Sequence, residues 1–269
     1  MDNKILFAFG LTLIAGLSTG IGSAIAFFSK KTNTKFLAIS LGFSAGVMIY
    51  VSMIDIFSKA QASLVAELGM KAGSWATVAS FFSGMLLIAI IDKLVPNEEN
   101  PHHLHNIEEL NESNVHPENY NLVRTGMFTA LAVGIHNFPE GIATFISALQ
   151  EPTIAIPITV AIAIHNIPEG ISISAPVYYA TGDRKKAFKY SFLSGLAEPV
   201  GAIIGYLVLL PFLNNLLFGI VFGMVAGIMV YISLDELLPS AQKYGEHHLS
   251  IGGLIAGMAV MAVSLLMFI

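Results

Sequence analysis

Ile135-His136-Asn137-Phe138-Pro139-Glu140-Gly141-Ile142 recurs 29 residues further on as Ile164-His165-Asn166-Ile167-Pro168-Glu169-Gly170-Ile171. Only Phe138 and Ile167 differ among the eight positions, and chance does not repeat polar residues so closely inside apolar sequence. Each copy sits within an apolar run, near 123–149 and 154–180. Each run exceeds the roughly 20 residues that a helix needs to cross bilayer hydrocarbon. Neighbouring spans joined by a short loop run antiparallel, so the two copies point in opposite directions. Within each copy, His and Glu four residues apart share one helical face, and Asn stands about 100° round from the His. Proline removes a backbone N–H and crowds the carbonyl of Ile135 or Ile164, which predicts a kink. Glycine leaves room for close helix approach. Two such helices crossing bring two His, two Asn and two Glu to one place near mid-membrane.

Outward from this pair, the whole chain of 269 residues reads alike. It is 55% hydrophobic and 12% charged, with a mean hydropathy of +0.72. A soluble domain is nearer 25% charged, so an ordinary globular enzyme is excluded. Six further apolar stretches lie near 5–28, 37–58, 74–95, 189–211, 216–239 and 250–268. Backbone in hydrocarbon must satisfy its own hydrogen bonds, so all eight are read as helices. The predicted fold is an all-α integral membrane protein, one transmembrane domain over 1–269, interrupted only by a polar loop at 96–122. The absence of cysteine removes thiolate metal sites and thiol catalysis. A net charge of −5 gives no basic surface for a nucleic-acid partner; the partner indicated by composition is the lipid bilayer. A homodimer is compatible with the chain, whose sequence does not fix oligomeric state.

Orientation follows from Lys and Arg in the loops. With the N-terminus outside, Lys30, Lys31, Lys35, Lys93, Arg124, Arg184, Lys185, Lys186, Lys189 and Lys243 are inside, against Lys4, Lys59 and Lys71 outside. Eight spans then place both termini outside and the 96–122 loop in the cytoplasm of a cell inner (plasma) membrane protein.

A second echo relates the second and seventh spans. Gly42, Ala45, Gly46, Met48, Tyr50 and Ser52 recur 181 residues later as Gly223, Ala226, Gly227, Met229, Tyr231 and Ser233. Asp55 meets Glu236 in the same register. Spans five apart run in opposite directions, so this is the pattern of an inverted repeat, which in transporters sets the substrate site near the midplane. The paired glycines are read as close helix packing.

Acids at membrane depth are costly, about 2.5–3.5 kcal/mol at a helix centre. Glu140 and Glu169 are joined by Glu198, mid-span in Gly195-Leu196-Ala197-Glu198-Pro199, and no Lys or Arg lies at that depth. Protonation, water or a bound cation remain as solutions. Imidazole, carboxylate and amide oxygen together suit a divalent transition metal, Zn²⁺ above all. These ligands bind only when deprotonated, so binding weakens in acid.

The paired motifs, followed by the Ala-Glu-Pro helix, resemble the ZIP family of divalent metal transporters, its bacterial members most closely. The resemblance covers the whole chain and implies eight spans in a 3+2+3 arrangement with outside termini. It implies a two-metal centre at the midplane, with divalent metal bound there as substrate and the second ion either transported or regulatory. His136, Glu140, His165 and Glu169 would hold one; Asn137, Asn166 and Glu198 would hold the other, with Glu140 and Glu169 bridging. Some members carry other residues at the positions of His165 and Asn166. Asp55 would mark the outer entrance, and Met229, Asp235 and Glu236 the inner exit, where the family often has His-Glu rather than Asp-Glu. Substrates implied are Zn²⁺ and also Fe²⁺, Mn²⁺, Co²⁺ and Cd²⁺, moved into the cytoplasm.

Loop 96–122 holds His102, His103 and His105 amid six Glu, a composition that binds metal loosely and is read as an accessory cytosolic acceptor. The rival readings are an intramembrane metal-dependent hydrolase and a metal-sensing receptor. The first lacks the HExxH helix such chemistry uses, and the second lacks a soluble output domain.

Overall fold

The computed structural model describes residues 3–28, 34–94, 134–135, 137–149, 152–181, 183–209, 212, 214–244 and 247–266. Regular structure among them is helical throughout. Helix α1 is Asn3–Phe28. Helix α2, Thr34–Tyr50, passes through a π-helical turn, Val51–Ile56, into α3, Phe57–Leu68, and α4 is Met70–Leu94. The first motif lies on α5, residues 137–149, with 134–135 helical ahead of it. The second lies on α6, Pro152–Thr181. Helices α7, Arg184–Gly195, and α8, Ala197–Ile204, meet at Leu196, and α8 ends in a π turn, Gly205–Leu209. Helix α9, Asn215–Ile232, runs through another π turn, Ser233–Leu237, into α10, Leu238–Tyr244; α11 is His247–Leu266.

Among the described residues, six stretches are long and apolar enough to cross a membrane: Asn3–Ile25, Ala38–Leu68, Met70–Lys93, Arg184–Val208, Asn215–Gln242 and His247–Leu266. They coincide with six of the eight spans read from sequence. The other two are the motif helices, of which α6 continues unbroken for 30 residues through Pro168. The second span outruns its expected end at 58 and reaches Leu68. Its extension buries only Ala60 and Leu64, but that is enough to dock it on α9, where Leu64 packs over Gly219. Gly69, at φ 79°, then reverses the chain into α4, a backbone conformation glycine adopts without strain.

Side chains are distributed as hydrocarbon demands. Met70, Trp75, Leu86, Leu207 and Leu266 are exposed on the outside, while Glu140, Glu169 and Glu198 are buried. Water would penalise both halves of that pattern; lipid around the helices removes the first penalty.

Two groups of helices form. In one, α1 packs on α6, α7 and α8, and α5 joins through Phe145, whose ring meets Phe9 at 4.6 Å and Tyr206 at 6.2 Å. In the other, α9 packs on α3 and α4, and α11 on α2. The groups touch where α6 meets α2 and α11, and an apolar cavity of about 510 Å³ separates Phe138 and Pro139 from Leu87 and Ile228. The two copies of the 181-residue echo pack alike. Gly42 and Gly46 receive the backbone of Ser250 and Leu254 on α11, while Gly223 and Gly227 receive Ser80 and Phe81 on α4. The π turns of α2 and α9 also fall in that register.

Candidate metal centre

The centre is built where α1, α5, α6 and α8 cross. Asp183 starts α7 by accepting from the backbone N–H groups of Lys185 and Lys186 at 2.8 and 3.2 Å, an N-cap that fixes the register leading to Glu198. Pro199 has no N–H to offer the carbonyl of Gly195, and the helix breaks at Leu196. That break aims Glu198 from the first turn of α8, fully buried.

Each motif asparagine reaches across to a different helix. Asn137 Nδ2 donates to Ser194 O on α7 at 3.3 Å. Asn166 Nδ2 donates to Ala15 O on α1 at 3.0 Å and to Glu198 Oε1. His165 Nε2 lies 3.0 Å from Glu140 Oε1, which joins the two motifs directly. The other ring nitrogen, Nδ1, is 3.3 Å from Ala161 O. From the second helix group, Ser44 Oγ donates to His165 O at 3.4 Å. Glu198 lies within electrostatic reach of both Glu140 and Glu169.

Several oxygens here face no donor. Neither carboxylate oxygen of Glu140 accepts a hydrogen bond, nor does Glu198 Oε2, Asn137 Oδ1 or Asn166 Oδ1; the 3.0 Å contact with His165 lacks hydrogen-bond angles. Buried acceptors without donors are rare in native proteins and point to a bound ion. The residue types suit one: carboxylate, imidazole and amide oxygen are zinc ligands. Two ligands about 2.0–2.1 Å from a tetrahedral zinc sit roughly 3.3 Å apart, so the His165–Glu140 pair needs to open by only a few tenths of an ångström.

Among the described residues, no three His, Asp or Glu side chains converge closely enough to hold one ion between them. Three carboxylates without a counter-charge repel. His136 lies outside the described residues, as do His102, His103, His105 and the rest of loop 96–122.

The expected entrance and exit acids fall on the matching π turns, Asp55 on Val51–Ile56 and the pair Asp235 and Glu236 on Ser233–Leu237. A π turn shifts the facing of the helix beyond it and is frequent at functional sites. Asp55 is not a bare solvated acid: Lys59 Nζ pairs with it at 3.2 Å. Tyr231 lies close to Asp235 and within electrostatic reach of Asp92, an acid that sequence reading did not single out. Met229 is buried one turn before the π segment.

Sequence reading also missed α1. Ala15 supplies a carbonyl to Asn166, Gly16 lies against Glu198, and Thr19 is fully buried beside them. The available signal was faint, since 12–23 and 191–202 share only Gly16/Gly195, Leu17/Leu196 and Gly22/Gly201 in register.

Known proteins resemble this chain along its length. The family described as ZIP Zinc transporter matches residues 91–265. A zinc transporter ZupT of Clostridium perfringens is 64% identical over 99% of this chain and 98% of its own. One of Streptococcus mutans is 63% identical over the full length of both. One of Chlorobium chlorochromatii is 63% identical, again over 100% of each. With a family match across more than half its length and relatives of this identity end to end, the chain belongs to the ZIP zinc transporter family, in its bacterial ZupT type.

Proposed function

We propose that the protein carries Zn²⁺ across the cell inner membrane into the cytoplasm, through a two-metal centre on the paired motifs. Transport of divalent metal is supported by the relatives, which are named zinc transporters. The observation that carries the site assignment is the buried contact between His165 and Glu140 at 3.0 Å, among acceptors that no protein donor satisfies. On this reading His136, Glu140, His165 and Glu169 hold one metal, Asn137, Asn166 and Glu198 the other, and Glu140 and Glu169 bridge. Carboxylates replace the water shell that a divalent ion loses at membrane depth. Oxygen and imidazole ligands also admit Fe²⁺, Mn²⁺, Co²⁺ and Cd²⁺.

The ion enters past Asp55, where it competes with the Lys59 ammonium for the carboxylate, and leaves past Met229, Asp235 and Glu236. Spans in a 3+2+3 order with both termini outside put that exit on the cytoplasmic side, beside the accessory histidines of loop 96–122. The hydrolase reading has no support here, because neither motif places a general base beyond its own ligand set.

Purified protein in liposomes loaded with a zinc-sensitive dye tests this. Wild type is expected to give flux that Glu140→Ala and Glu169→Ala nearly abolish. Normal flux in both variants would sink the site assignment; no flux from folded, metal-binding wild type would sink transport itself.

A further inference from the structure

We propose that the Thr19 hydroxyl is a further oxygen donor to the second metal, opposite Glu198; this rests on the two-metal reading above. Helix α1 carries no acid or imidazole, yet its backbone surrounds the centre in a pattern that singles Thr19 out.

A register of 179 residues relates α1 to α7 and α8, alongside the 29-residue register between the motifs, and independent contacts obey both. Asn166 donates to Ala15 O, and Asn137 to Ser194 O. Gly170 receives the backbone of Thr19, and Gly141 that of Glu198. Gly22 receives the carbonyl of Ile167, and Gly201 that of Phe138. Gly16 and Gly195 lie against each other's carbonyls. In every pair the α1 residue matches its partner on α7 or α8 at the same spacing, and in that spacing Thr19 occupies the place of Glu198.

The two positions differ in what their side chains reach. Glu198 accepts from Asn166. The mate of that bond would join Thr19 to Asn137, and it is not made: Thr19 Oγ1 and Asn137 Oδ1 have no hydrogen-bond partner in the protein, and both residues are fully buried. Thr12, Ser23, Thr77, Ser174 and Ser233 satisfy their hydroxyls on the carbonyl four residues earlier, as helical Ser and Thr commonly do. Thr19 does not. Its side chain is two bonds shorter than that of Glu, so a bridging cation is what would satisfy both oxygens together. A hydroxyl there, in place of a second Glu198-like carboxylate, leaves the centre one negative charge lower, which favours release of the ion.

Calorimetric titration of the purified full chain with Zn²⁺ tests this through stoichiometry and affinity. Wild type is expected to bind two ions tightly, apart from loose uptake by the histidines of loop 96–122. Thr19→Val, which keeps the shape and removes the hydroxyl, should weaken the second ion about tenfold and leave the first unchanged. Thr19→Ser should restore it. The metal-free melting temperature of Thr19→Val should be no lower than wild type, since removing a buried unpaired hydroxyl is not destabilising. Two ions bound with wild-type affinities by Thr19→Val would overturn the proposal. So would a lower metal-free melting temperature with both affinities reduced together, no rescue by Ser, or a wild type that binds a single ion. Retention of both ions by Glu140→Ala would instead overturn the centre itself.

Discussion

His165 is held between Ala161 O at 3.3 Å and Glu140 Oε1 at 3.0 Å, and that placement sets how the centre answers to acid. When Nδ1 carries the proton and donates it to Ala161, Nε2 turns a lone pair to a carboxylate. A positive charge must then lie on or beside Nε2, supplied by a proton or by a metal. The two compete for one lone pair, and metal uptake releases the proton. Zn²⁺ affinity is therefore expected to be highest above the range in which imidazoles titrate, about pH 5–8, and to fall as the pH is lowered through it. Titrations at pH 7.5 and 5.5 in buffers of different ionisation enthalpy read both the affinity and the protons released. Equal affinity at the two values would remove His165 from the ligand set.

At the scale of elements, glycine decides how closely the helices cross. A Cβ on Gly170 would overlap the carbonyl of Thr19, whereas one on Gly10 would meet nothing within 4 Å. Gly170→Ala must push α1 and α6 apart and is expected to cost about 1–3 kcal/mol, the usual penalty of overpacking. Gly10→Ala should leave the melting temperature of the purified protein unchanged or slightly higher, because Ala favours the helix. Equal melting temperatures for the two variants would mean that the crossing yields without cost.

The motif glycines and the 181-residue glycine pairs were legible because polar and aromatic neighbours repeat with them. The α1 crossing was not, because Ala15 and Thr19 act through backbone and a hydroxyl, and their partners Ser194 and Glu198 are different residue types. Nor were the π turns, which arise from slippage of the hydrogen-bond ladder rather than from a residue pattern. The Asp55–Lys59 pair stands at i,i+4 spacing and was open to reading.

For the whole molecule, exposure of large apolar side chains makes sense with lipid outside, and burial of three acids fits the proposed ion inside. The helices that carry the centre, α1, α5, α6, α7 and α8, form one group, and α6 touches the other through α2 and α11, while Ile135 packs against Ile88 and Ile228. Which face of this assembly meets the cytoplasm decides the direction of uptake, and Lys and Arg decide the face. Ten of the thirteen basic residues fall on one side of the eight-span reading. The chain lacks cysteine, so single introduced thiols report their side without background. Ala72→Cys, exposed beside the Gly69 reversal, is expected to react with a membrane-impermeant maleimide on intact cells. Ser113→Cys, in the polar loop, should react only after the membrane is opened. The reverse pattern would invert the topology, exchange Asp55 with the Asp235 and Glu236 pair as the cytoplasmic mouth, and turn the proposed importer into an exporter.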